Sequence, residues 1–347
     1  MPMHAVRFER RTPQEAAQFG ISGADARHSH WRARWQRYAG PELTFVALLT
    51  LIGVALAITH GVSIALPGAA TLAIFGIHYL VPVATMGIWA GVLFVQRRSG
   101  EILYYALVFA AYLLLLVLHF NLKLWIPVLN PAAWDDVYWQ TDRAMQPVIA
   151  LAYAGHNWLQ SAFGNIDSWY LFGFVLMFYF SYILHAVQSP LVFRRLVLSS
   201  FLVQGLGGLA YLVAPAVGPF IYQEGANALA TETQADMLAA HQAIRHQGAS
   251  WLNLNAEHIL TGGLAAMPSL HTAASAVFLY FAWRYLPGLV VLYLPAFGFI
   301  LMEAVATRWH YIVDLPAGAA LAAFSIWAAH CLYPDEDSRR RAEVLKV

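Results

Sequence analysis

The chain has 347 residues, of which 60% are hydrophobic and only 11% are charged, and its formal net charge at pH 7 is +1. Soluble domains carry about 25% charged residues, so this composition excludes an ordinary soluble domain and indicates a protein that crosses a membrane several times. The small net charge gives no support to nucleic-acid binding, and the single cysteine, Cys331, excludes an intrachain disulfide.

The first forty residues are polar and rich in arginine, and Trp31, Trp35 and Tyr38 lie among the arginines near the end of this segment. Such a mixture is typical of a cytoplasmic tail whose last turns lie on the membrane surface. A partly disordered tail is the alternative. We therefore expect residues 1–40 to form a basic cytoplasmic tail outside the membrane-spanning part.

Eight apolar runs follow, and each approaches the roughly 20 residues that a helix needs to cross a bilayer. They predict an all-α, polytopic fold with about eight transmembrane helices, the seventh kinked at Pro295. We expect N-terminal spans in 41–122, an outer region in 123–167, a helix bundle in 168–333 and a cytoplasmic tail in 334–347. The runs cover residues 41–59, 72–95, 102–122, 168–188, 192–213, 268–286, 289–306 and 313–333.

Basic residues between the runs predict the topology. If eight spans alternate, all of these residues fall on the same side as the N-terminal tail, and the positive-inside rule makes that side cytoplasmic. Both termini are then inside, and the loops 123–167 and 214–267 and the turn 307–312 are outside. The basic residues are Arg97, Arg98, Arg194, Arg195, Arg284, Arg339, Arg340 and Arg341.

The two long outer loops are expected to contain structure of their own. Asn130 and Pro131 are a helix-start signal, and the residues after them predict one amphipathic helix over 131–150 that lies in the outer interface. Prolines and glycines predict repeated turns over 214–226, and residues 227–247 predict a polar outer helix. We hypothesise that helix 131–150 and loop 214–226 cover a pocket.

Four ionisable residues are predicted to lie together on the outer side, at the ends of apolar helices. His271 begins the sixth run, Arg308 and His310 lie in the turn before the eighth, and Asp314 opens the eighth. Ionisable groups at membrane depth are costly and usually functional, and helix N-termini favour anions. His310 and Asp314 are four residues apart, so on a helix they share one face.

These residue types suit phosphoryl transfer. A histidine can attack phosphorus if a carboxylate holds its other ring nitrogen, which fits His310 and Asp314. A second histidine, His271, can protonate the departing oxygen, and a guanidinium such as Arg308 can neutralise phosphate charge. The alternatives are structural histidines, an Asp that only caps a helix, an Arg that reaches to headgroups, and a zinc site of two His and one Asp.

Two segments carry a family resemblance. Met267-Pro-Ser-Leu-His271 and His310-Tyr-Ile-Val-Asp314 resemble the second and third signatures of the type 2 phosphatidic acid phosphatase superfamily, over residues 170–333. The resemblance implies a six-helix catalytic bundle in which His310 is the nucleophile, Asp314 orients it and His271 is the acid. It implies a lipid substrate and needs neither metal nor cofactor.

The chain also departs from the phosphatase branch of that superfamily. No Lys-x6-Arg-Pro element is found before the middle signature, and Glu303 and Ala304 stand where that branch has Ser-Arg. The candidate phosphate contacts are therefore Arg308, Ser269 and the backbone near Gly218, with Lys123 and Arg143 as possible substitutes.

The form of the two signatures is similar to the inositol phosphorylceramide synthase branch. This similarity implies transfer of a phosphorylated headgroup from a glycerophospholipid donor to a ceramide hydroxyl acceptor. A lipid phosphatase with the same residues and a non-catalytic transporter or scaffold are the alternatives. We expect a bacterial inner-membrane protein whose active site faces the outer leaflet.

Overall fold

Helices form nearly all of the regular structure in the computed structural model, which describes residues 40–68, 84, 86–164, 166 and 169–335. The predicted basic tail up to residue 39 and most of the predicted C-terminal tail lie outside the described residues. The described helices are α1 (Pro41–His60), α2 (Met86–Val95), α3 (Ile102–Leu129), α4 (Asp135–Ala144), α5 (Gln146–Phe163), α6 (Trp169–Gln188), α7 (Pro190–Val213), α8 (Ala228–Asn255), α9 (Leu270–Tyr285), α10 (Val290–Ala306) and α11 (Asp314–Leu332).

Six helical segments among the described residues are long and apolar enough to cross a membrane. They are α1, α3, α6, α7, α11 and the segment Pro287–Ala306, which contains α10. This finding confirms an all-α integral membrane protein, while the predicted count of eight spans is not confirmed. Most of the run 72–95 lies outside the described residues. The run 268–286 forms α9, whose 16 residues extend only about 24 Å.

Helix α7 lies at the centre of the bundle and packs against α1, α3, α6, α9 and α11. Its buried side chains include Phe193, Leu196 and Phe201, each at most 1% exposed. Burial on several sides explains why this helix has no clear apolar stripe, since a helix that is covered all round is apolar all round.

The basic and the histidine-bearing ends of the bundle are opposite each other. Arg195, in the first turns of α7, donates to the carbonyl oxygen of Tyr333 at 2.8 Å and to the Tyr285 hydroxyl at 3.2 Å. Tyr285 is the last residue of α9, and His271 lies in the first turn of the same helix. The two residues are therefore about 21 Å apart along the helix axis.

The predicted single helix over 131–150 is wrong, because the chain forms two helices there. Helix α4 begins at Asp135 and ends at Ala144, and α5 begins at Gln146 with Pro147 in its first turn. Proline at the start of α5 lacks an N–H and sets the backbone for a new helix, which accounts for the break.

The predicted turns over 214–226 and the polar helix are observed, and the polar helix continues to Asn255 with a kink at Gly248.

Candidate active site

His310 lies in the turn between α10 and α11, and the residue is 7% exposed. Its Nδ1 atom lies 2.8 Å from the carbonyl oxygen of Ala266 and 3.3 Å from Oδ2 of Asp314. A carbonyl oxygen can only accept, so Nδ1 carries the hydrogen and Nε2 of the neutral ring carries the lone pair. The expected shared helical face is wrong in detail, because α11 begins at Asp314, yet the two side chains still meet.

His271 lies in the first turn of α9, where two aromatic rings flank its imidazole. The ring centroids of Tyr170 and Phe174 lie 5.0 and 4.8 Å from that of His271. His271 and His310 line the same cavity, which has a volume of about 380 Å³ and lies among α3, α6, α7 and α9. The structure therefore brings the two predicted histidines to one cavity.

The N-termini of α9 and α11 are brought together by backbone contacts. The N–H of Ser269 donates to the carbonyl oxygen of Asp314 at 3.1 Å. A Cβ atom at Gly318 would lie 2.4 Å from the Ser269 carbonyl oxygen, so only glycine permits this approach of α11. The side chain of Ser269 caps α9 by accepting from the Thr272 N–H. Ser269 is not among the described residues that line the cavity, and its phosphate contact stays a prediction.

Arg308 occupies a buried position that the sequence did not indicate. Its backbone has a φ of 60°, its side chain is fully buried, and Nη2 lies 2.6 Å from Oδ2 of Asp142. Nε and Nη1 have no hydrogen-bond partner within the described part of the chain. Arg308 is not among the described residues that line the cavity. Its role as a phosphate contact stays a prediction, and the geometry shows it bound to α4.

Helix α4 buries two of its acidic side chains. Asp135, Tyr138 and Asp142 are buried, whereas Trp134 and Val137 are 43% and 50% exposed. Residues seven apart lie two turns apart on the same side of a helix, so the two carboxylates face the bundle together. Buried carboxylates need hydrogen-bond donors, and both find them in loops that are distant in sequence.

Asp142 holds the turn that carries His310. Its Oδ2 pairs with Arg308, and its Oδ1 accepts the backbone N–H of Ile312 at 2.8 Å. The two contacts lie on either side of His310 in the chain. One buried carboxylate thus joins residues 308 and 312, on both sides of His310, to α4.

Asp135 holds the neighbouring loop in the same way. Its carboxylate accepts the N–H groups of Val217 and Gly218 at 2.9 and 3.0 Å and the hydroxyl of Tyr311 at 2.8 Å. Burial and the nearby Asp135 charge raise the pKa of Tyr311, so its hydroxyl remains a donor. The Gly218 N–H, predicted to bind phosphate, is therefore already donated to Asp135, and that phosphate contact stays a prediction.

Lys123 is a cavity residue that sequence reasoning treated only as a possible substitute. It lines the cavity together with both histidines, and its Nζ lies 5.8 Å from the ring centroid of Tyr211. The sequence does contain a signal for this residue. Six residues separate Lys123 from Asn130-Pro131, which is the spacing of the Lys-x6-Arg-Pro element, and Asn takes the place of Arg. The Asn130 side chain donates to the carbonyl oxygen of Leu212 at 2.8 Å.

The expected cover of the cavity is present only in part. Val217 lines it, as the loop hypothesis requires, and Met237, Thr261 and Trp309 do so as well. Helix α4 contributes none of the described lining residues and instead holds the loops that contain Val217 and Trp309.

Among the described residues, no group of three or more His, Cys, Asp or Glu side chains is arranged to hold a metal ion.

Comparison with protein families matches residues 139–328 to a family described as the PAP2 superfamily. The match covers more than half of the chain and includes α9, the turn between α10 and α11 and most of α11. Comparisons with curated proteins and with solved structures return no match.

Proposed function

The chain belongs to the PAP2 superfamily, and we propose that it is a membrane lipid phosphotransferase. In this proposal it moves a phosphorylated headgroup, such as phosphoinositol, from a glycerophospholipid to a lipid hydroxyl, such as that of ceramide. One observation carries the proposal: Nδ1 of His310 contacts two oxygen atoms at 2.8 and 3.3 Å. This arrangement leaves Nε2 as the nucleophilic nitrogen beside a cavity that His271 also lines.

The first half-reaction transfers the headgroup to His310. Nε2 attacks the donor phosphorus, a P–N bond forms, and the P–O bond to diacylglycerol breaks. His271 gives a proton to the departing oxygen. The imidazole of His310 becomes positively charged, and the Ala266 carbonyl and Asp314 carboxylate stabilise that charge through Nδ1.

The second half-reaction regenerates the enzyme. The acceptor hydroxyl gives its proton to His271 and attacks phosphorus, while the P–N bond to His310 breaks. With water in place of the lipid hydroxyl and a lipid phosphomonoester as the donor, the same residues would act as a phosphatase. The donor and acceptor that reach the cavity therefore decide between a transferase and the alternative, a lipid phosphatase.

Lys123 is the cation that we assign to the phosphate in this mechanism. It lines the same cavity as both histidines, whereas Arg308 is already paired with Asp142. A lysine ammonium in a cavity of low polarity offsets the negative charge that develops on the phosphate oxygens. Arg308 then contributes by holding the His310 turn.

Localisation follows from the two ends of the bundle. The basic cluster around Arg195 lies at the end of α9 opposite to His271, and basic residues favour the cytoplasmic side. We therefore propose that the histidine end faces the outer leaflet of a bacterial inner membrane.

The experiment is a headgroup-transfer assay on the purified protein in detergent. Labelled phosphatidylinositol is supplied with and without ceramide, and products are separated by chromatography. The proposal expects labelled inositol phosphorylceramide only when ceramide is present, and no product from His310→Ala or His271→Ala. Inositol phosphate released in the absence of ceramide would indicate that water is the acceptor, and release of inorganic phosphate from phosphatidic acid would support the lipid phosphatase. Full turnover by both variants would exclude catalysis at this site.

A further inference from the structure

The cavity at the two histidines continues deep into the bundle. Its lining residues extend from Lys123 to Tyr112 on α3 and from Tyr170 to Tyr182 on α6. At 1.5 Å per residue these two stripes are each about 16–18 Å long. On α7 the lining runs from Tyr211 back to Ser200, a similar distance. We call this deep space the slot.

The slot changes in polarity along its length. Lys123 lines the histidine end, His119 lies one turn further in and Gln204 lies deeper, while at the inner end the lining consists mainly of aromatic rings. A ligand that fits both ends has a charged group joined to a hydrocarbon chain. A cavity of about 380 Å³ lies within the range of sites that enclose such molecules.

Three aromatic residues with neighbouring rings lie at the inner end of the slot. The ring centroids of Tyr112 and Phe178 are 5.1 Å apart, and those of Phe178 and Tyr182 are 4.4 Å apart. We call these three residues the aromatic floor. The same three residues also line a second void of about 30 Å³, which reaches Trp89 and Val108. The aromatic floor therefore separates two spaces.

We propose that one hydrocarbon chain of the lipid substrate lies in the slot and that the aromatic floor sets the longest chain accepted. This inference rests on the proposed function, because the phosphate must be at the histidines for the chain to point inward. Because lipid and detergent tails are themselves apolar, a chain that enters the slot gains mainly through packing contacts with the lining residues. A chain that meets the floor gains nothing further and displaces the phosphate from His310.

The test compares two variants that change the slot in opposite directions. Phe178→Ala removes the middle ring of the floor and joins the slot to the second void. Ser200→Phe fills the slot from α7, about 16 Å from Tyr211. Phe180→Ala is the matched control, since Phe180 is on the same helix as Phe178 but is 42% exposed and is not among the described lining residues.

Initial rates are measured for phosphatidylinositols and phosphatidic acids that differ only in chain length. Phe178→Ala should move the optimum of kcat/KM to longer chains. Ser200→Phe should lower kcat/KM for the longest chains by about tenfold or more and leave the shortest chain within about twofold. Phe180→Ala should follow the wild-type profile.

Chain-length profiles of Phe178→Ala and Ser200→Phe that coincide with wild type, or that fall equally at every length, would overturn the inference. Thermal unfolding in detergent identifies a variant that has lost its fold, and Phe178→Leu then replaces Phe178→Ala as the smaller change. A wild-type protein without turnover on any of these lipids would instead contradict the proposed function. The two failures are therefore distinguishable.

Discussion

Asp142 and Arg308 form an ion pair of 2.6 Å in which both side chains are fully buried. The pair connects α4 to the turn that presents His310, and Asp142 also accepts the N–H of Ile312 from the far end of that turn. Removing one partner of a buried ion pair is strongly destabilising, because the other charge is then left uncompensated. The position of His310 therefore depends on a residue that is 168 positions away in the chain.

Asp142→Asn is expected to destabilise the protein and to misplace His310. The change leaves the buried Arg308 charge without its carboxylate, and breaking one partner of such a pair costs about 3–5 kcal/mol. Thermal unfolding in detergent measures the loss, and kcat should fall more than KM rises.

A matched control and a double variant test whether the pair is the cause. Asp136→Asn changes the exposed neighbour on α4, which accepts a hydrogen bond from the Tyr222 hydroxyl, and should shift stability by less than about 0.5 kcal/mol. Asp142→Asn combined with Arg308→Gln should be less destabilised than the sum of the two single changes. Strict additivity would contradict the pairing.

His271→Ala should lower kcat by about 10²–10⁴-fold for lipid donors, because their alkoxide leaving group needs a proton. A donor with a p-nitrophenol leaving group does not need that proton, so its turnover should fall far less. His258→Ala is the control, because His258 is exposed and is not among the described residues that line the cavity. This variant should match wild type with both donors. Equal losses with both leaving groups would contradict the acid role.

Lys123→Met should lower kcat by about 10²–10³-fold, the effect of removing one group that stabilises charge in a transition state. Lys123→Arg keeps the positive charge and should recover part of the activity. Steady-state rates and an inorganic phosphate inhibition constant provide the measurements. A Met variant with wild-type kcat and unchanged phosphate inhibition would remove Lys123 from the site.

The membrane-spanning helices and the histidine-bearing turn could be predicted from the sequence because both depend on local pattern. An apolar run of bilayer length forms a helix wherever it occurs, and the spacing from His310 to Asp314 limits their separation. Six of the eight predicted runs correspond to helices long enough to span a membrane.

The role of α4 could not be predicted, because its contacts are distant in sequence. The sequence predicted an amphipathic helix in the outer interface, and it did not indicate that Asp135 and Asp142 face inward and bind loops near residues 217 and 311. A carboxylate with donors in distant loops has no local signature. The spacing from Lys123 to Asn130-Pro131 matches that of the Lys-x6-Arg-Pro element. The element was not identified in the sequence because Asn stands in place of Arg.

The central claim is that Nε2 of His310 carries the transferred headgroup as a covalent adduct. Rapid quenching of the wild-type protein with labelled phosphatidylinositol in the absence of ceramide, followed by peptide mass spectrometry under alkaline conditions, tests it directly. We expect an acid-labile label on the peptide that contains His310, lost on addition of ceramide and absent from His310→Ala. Turnover without any labelled protein, or with the label on another residue, would contradict the account.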